Sequence, residues 1–107
     1  MPEATDFIDV AVLVDREPAA LDVATGEDRS RTIIRREELR IAGRRAVRLE
    51  AQATGEGLLD AGTRYHEVVL AVDGDSIVVS TYDLPGQDYE RNKQVADRIA
   101  GSIGLTG

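Results

Sequence analysis

From Arg45 to Thr54 the chain alternates, with Val47, Leu49, Ala51 and Ala53 on one side and Ala46, Arg48, Glu50 and Gln52 on the other. Strict alternation predicts a strand with one buried and one wet face, as in an antiparallel sheet. Residues 7 to 14, "FIDVAVLV", predict an earlier strand with Ile8, Val10, Val12 and Val14 on one face. Pro18, behind an acidic residue, suits the first turn of a short helix that buries Leu21 and Ala24 and stops at Gly26. "TIIRREELRIA" at 32 to 42 reads as a strand with Ile33, Leu39 and Ile41 on one face. Its Arg-Arg-Glu-Glu run would equally suit a helix, but Ala42-Gly43-Arg44 looks like a hairpin turn and favours the strand.

Further on, "TRYHEVVLAV" predicts a strand from 63 to 72 with Val68, Leu70 and Val72 inward. Asp73-Gly74 is a two-residue hairpin signal leading into "SIVVSTY". The glycine-rich stretch "GEGLLDAG" between the third and fourth strands is a loop, with Leu58 and Leu59 tucked against the core edge. Pro85-Gly86 ends the sheet. Asp88 then caps a final helix whose Asn92, Val95, Ala96, Ile99 and Ile103 make an apolar stripe. Lys93 and Asp97 sit four apart, on the side expected to face solvent, and fraying is expected by Gly104. The expected whole is a single α+β domain over 1–107. It has an antiparallel sheet of about five strands, a short helix after the first strand, and a C-terminal helix packed on one face.

Composition changes the picture in three ways. Hydrophobic residues make up 42% and charged residues 31%, which is globular rather than disordered. The net charge of −7 repels phosphate backbones and anionic membrane surfaces, so neither nucleic acid nor direct membrane insertion is expected. The absence of Cys removes disulfides, thiol catalysis and cysteine metal sites. Against the acidic balance, Arg35, Arg36, Arg40, Arg44, Arg45 and Arg48 crowd the middle of the chain beside Glu37 and Glu38. Chiefly they read as a solvated strand face. They are also the candidate contact for an anion or an acidic protein.

No catalytic residue, metal site or cofactor is expected. His66 is the only His, and a lone imidazole without Cys is a poor zinc site. Its neighbour Glu67 points to the opposite strand face and cannot easily orient the ring. "DGDS" at 73 to 76 lacks the remaining ligands of a calcium loop. In "STYDLPGQDYERN" each chemistry-bearing residue has a local duty: Asp83 in the turn, Asp88 as the cap, the tyrosines at the core edge. The alternative reading is a small-ligand or weakly enzymatic pocket between sheet and helix, lined by Tyr65, His66, Tyr82 and Tyr89. A homodimer through an edge strand is a third.

The segments "LRIAGRRAVRLEAQATG", "GTRYHEVVLAV", "IVVSTYD" and "YERNKQVADRIAGSIGL", spanning about residues 36 to 105, resemble the C-terminal half of PsbP-like domains. They also resemble a recurrent C-terminal segment of actinobacterial envelope lipoproteins. The resemblance implies a non-catalytic α+β accessory or protein-binding module, as in photosystem extrinsic proteins and a Ran-binding import factor. It further implies an extracytoplasmic, cell-envelope location for an excised domain, since no signal pattern is present. It carries no catalytic motif onto this chain.

Overall fold

Two dipeptides organise the sheet. Ala42 and Gly43 have φ of 53° and 82°, and Asp73 and Gly74 have 50° and 85°. Paired positive φ gives a two-residue hairpin the twist its strands need. The first turn joins β2 (Arg31–Ile41) to β3 (Arg44–Ala53), and the second joins β4 (Arg64–Val72) to β5 (Asp75–Tyr82). The computed structural model describes residues 12–106, which also hold β1 (Leu13–Glu17), α1 (Leu21–Ala24) and α2 (Tyr89–Thr106). The strands form one antiparallel sheet in the order β1-β5-β4-β3-β2. The architecture is the expected α+β arrangement, with α2 packed on the sheet.

Of the strand expected at 7–14, residues 7 to 11 lie outside the described residues. The observed strand continues to Glu17, because Asp15, Arg16 and Glu17 pair with Val78, Ile77 and Ser76 of β5. That pairing delays α1, so Pro18 stands before the helix rather than in its first turn. The Ser76 hydroxyl donates to the Ala19 carbonyl (2.7 Å), and the Thr25 hydroxyl donates to the Leu21 carbonyl (2.7 Å). The first bond ties the entry to α1 onto β5, the second closes the helix's single turn, and Leu21 is buried in the core.

The expectation of one buried and one wet face is corrected, because both faces are covered. On the helix face, Ala96 and Ala100 of α2 are fully buried against Ala46, Val68, Leu70, Val72 and Val79, flanked by Ile99 and Ile103. On the opposite, loop face, Leu21 packs with Val47, Leu49, Ala51, Ala53, Tyr65 and Val69. Register decides this. Ala46 lies opposite Leu70 and Val47 opposite Val69, so the Val47–Leu49 and Val68–Leu70 sets, expected to share one core, lie on opposite faces. β4 lies under both layers, which is why 68 to 72 is a continuous apolar run.

A register shift between Ile33 and Arg35 bulges β2. It places Ile33 in the loop-face core while Leu39 and Ile41 join the helix-face core, so the three do not share a face as alternation predicted. Leu59 packs on the loop-face core as expected, but Leu58 is fully exposed. The Asp88 carboxylate accepts the Arg91 N–H (3.2 Å) as the expected cap, and α2 runs past Gly104 to Thr106.

Ala96 and Ala100 leave no room for more than a methyl group beneath α2. Replacing either by Leu should cost about 1–3 kcal/mol through overpacking. Urea denaturation reads this directly; an unchanged midpoint would mean that α2 does not sit on the sheet in this way.

Candidate functional site

Strand pairing lines up polar residues beneath the first turns of α2. Arg35, Glu50 and His66 are successive cross-strand partners, and so are Glu37, Arg48 and Val68. α2 lays Glu90, Lys93, Gln94 and Asp97 over them, enclosing a cleft of about 340 Å³. Lys93 and Asp97 therefore face the sheet rather than solvent. The reason is chemical: the strands present Arg48, Glu50 and His66 on this face, and each needs a partner once covered.

The pairing is extensive. His66, 6% exposed, places Nε2 at 2.9 Å from Asp97 Oδ1. Asp97 accepts, so this nitrogen carries the hydrogen. Arg48 spans two elements, reaching Asp97 Oδ2 at 3.4 Å and Glu37 Oε1 at 3.0 Å. The hydrogen bond to Glu37 leads the interactions that raise the Arg48 pKa further. The Tyr89 hydroxyl donates to Glu50 (2.9 Å), and Lys93 Nζ stands 4.8 Å over the Tyr89 ring, 3.2 Å from Glu90 and 3.9 Å from Glu50. Burial, then the bond to Glu50, pushes the Tyr89 phenol well above its ordinary range. Glu37, Glu50, Glu90 and Asp97 are thus each engaged by a cation or a hydroxyl. The arrangement anchors a helix through charge.

The four residues expected to line one pocket are divided. His66 lines the helix-face cleft, and Tyr89 reaches its Glu50 from the start of α2. Tyr65 and Tyr82 stack on each other on the loop face, with centroids 5.2 Å apart and rings inclined at 33°. Beside them, Leu59 and Ala53 help to bound a separate depression of about 210 Å³. The candidate arginines divide as well. Arg35, Arg44 and Arg48 lie on the helix face, and Arg36, Arg40 and Arg45 on the loop face. Arg36 reaches Glu38 (3.1 Å) and Thr25 Oγ1 (3.2 Å), Arg45 reaches Asp22 (3.4 Å), and Arg40 donates to the Gly43 carbonyl (3.0 Å). Arg35 and Arg44 have no ion pair among the described residues.

Sequence reasoning missed the ion pair whose two partners are both nearly buried. Arg31, 8% exposed, binds Glu67 Oε1 at 2.9 Å across the loop face. It also donates to the Ala24 (2.9 Å) and Gly26 (3.0 Å) carbonyls at the end of α1. Burial lifts the Glu67 carboxyl above the ordinary carboxylate range, and Arg31 opposes that shift without cancelling it. The signal was a lone acid inside the buried run of β4, which demands a buried cation. Among the described residues no group of three or more His, Cys, Asp or Glu could hold a metal ion. No described helix is long and apolar enough to cross a membrane.

Comparisons with protein-family models, with curated proteins and with solved structures return no match. The likeness to PsbP-like domains therefore rests on the residues quoted for it.

Two expectations test these contacts. His66→Ala, Asp97→Ala and the double variant should show a coupling of about 1 kcal/mol in a denaturation cycle; additive losses would mean the contact carries no energy. For Glu67, the raised folded value means that the folded state holds more protons than the unfolded chain as pH rises from the ordinary value of 4.5. Wild-type stability should therefore fall relative to Glu67→Gln as pH rises through the window between the ordinary and raised values. Unfolding free energies across that window check the sign, and an opposite slope would show that Arg31 dominates.

Proposed function

We propose that this chain is a non-catalytic binding module that meets an acidic protein surface through the β2–β3 hairpin. One observation carries the reading: seven arginines lie on that hairpin in a chain of net charge −7, and two of them, Arg35 and Arg44, have no ion pair among the described residues. An unpaired guanidinium is a ready partner for carboxylates, which it can hold in a bidentate fork. Opposite potentials would also speed encounter with an acidic partner. The cleft supports the same reading from the other side. Its carboxylates are committed to cations and hydroxyls within the fold. The resemblance to accessory domains agrees with it.

A glutamate-rich peptide serves as the probe. At low salt it should shift backbone amide resonances around Arg44 and Arg45 in a saturable way, with the response weakening as salt rises. Arg44→Glu/Arg45→Glu should abolish it. No response, or the same response from the double variant, would remove the hairpin as the contact surface.

A further inference from the structure

Among the described residues the sheet has an open edge along β2, and the residues on that edge complement themselves. β2 is the terminal strand of the order β1-β5-β4-β3-β2. Its two-residue turn makes Ile41 and Arg44 a hydrogen-bonded pair. Counting back by twos, Ile41, Leu39 and Glu37 direct their backbone groups toward β3, while Arg40, Glu38 and Arg36 direct theirs outward. Ahead of the bulge the edge is occupied, because the Glu27 carboxylate accepts the Ile33 N–H at 2.8 Å. The free length therefore begins beyond the bulge and ends at the turn.

We propose that this edge pairs antiparallel with the same strand of a second copy, about a twofold axis at Leu39, giving a continuous ten-stranded sheet. A twofold axis perpendicular to a sheet places a residue opposite its own copy, so each register is named by its central residue. Centring on Arg36 or Glu38 opposes like charges on the axis, and the first also requires the bulged segment. Centring on Glu37 brings two carboxylates together. Centring on Leu39 opposes Leu39 to Leu39 and places Glu38 against Arg40 of the second copy, twice by symmetry. These are the outward-bonding positions, so each opposite-charge pair coincides with a pair of backbone hydrogen bonds.

Two features of the single chain favour this register. Leu39 and Ile41 belong to the helix-face core but remain only partly buried, so that core runs out to the open edge. A second copy would continue it with its own Leu39 and Ile41. The contacts of Arg36 with Glu38 and of Arg48 with Glu37 survive unchanged, while Arg40, which holds only the Gly43 carbonyl, gains a carboxylate. Charged edge strands ordinarily repel their own kind. Here Glu38 and Arg40 flank a leucine with opposite signs, so the same charges attract when the strand meets itself in reverse. The inference shares Arg36 and Arg40 with the surface of the acidic-partner reading but rests on the edge strand's register, which that reading does not use.

Sedimentation velocity over a wide concentration range should show a monomer–dimer equilibrium for the wild type. Glu38→Arg and Arg40→Glu should each raise the dimer dissociation constant about tenfold, since each makes two like-charge oppositions. The double swap should restore dimerisation, and mixing the two single variants should give a heterodimer. Circular dichroism confirms that these exposed substitutions leave the fold intact. The chain has no Cys, so Leu39→Cys tests the axis itself. Non-bonded antiparallel partners have Cα atoms about 4.5 Å apart, within disulfide range. Oxidation should give a cross-linked dimer, whereas Ile34→Cys should not. A wild type that stays monomeric throughout, single variants that dimerise like the wild type, or equal cross-linking of the two cysteine variants would each overturn the proposal.

Discussion

A polar side chain that a strand sends beneath a covering layer must find its complement there, either in that layer or on a neighbouring strand. The rest of this structure depends on that constraint. Burying an unpaired charge costs several kcal/mol, more than a typical hydrogen bond returns. β3 and β4 nevertheless carry Arg48, Glu50, His66 and Glu67 under cover. On one face α2 answers with Asp97, Tyr89 and Lys93. On the other face the answer comes from Arg31. Apolar burial supplies the drive to collapse, and the close fit of Ala96 and Ala100 on the sheet helps fix α2. The ionic contacts add further fixed points between the elements.

The fold was legible wherever a local rule suffices. Ala42-Gly43 and Asp73-Gly74 state their turns outright, and Asp88 announces the closing helix. Sidedness was harder to read. Alternation gives the phase of each strand by itself, but the phase between strands is a matter of register, which no local pattern contains. Val47 and Val68 therefore looked like companions although Val47 faces the same way as Val69. The pocket expected from Tyr65, His66, Tyr82 and Tyr89 failed for a simpler reason. Tyr65 and His66 are adjacent in a strand, and period-two geometry alone separates them. Asp97 could not be placed by its i,i+4 spacing from Lys93, because that spacing shows only that the two share a helix face, not which way it looks.

For function, the same constraint moves attention away from the one histidine. A lone imidazole beside carboxylates looks like chemistry when read along the chain. Here it is nearly buried and tied to a helix, as the surrounding charges are. Uncommitted capacity among the described residues includes Arg35 and Arg44 of the β2–β3 hairpin and the open side of β2. The reading as a contact module follows from where unsatisfied capacity lies, at the rim of the sheet rather than under its lid.

The bulge at Ile34 has a reach that its size conceals. Were Ile34 paired in step instead of bulged out, Arg31 would keep phase with Arg35 and Leu39 and emerge beneath α2, on the opposite side of the sheet from Glu67. By slipping the strand half a pleat, Ile34 acts as a phase shifter. It lets a single ribbon deliver leucine and isoleucine to one layer and a guanidinium to the other.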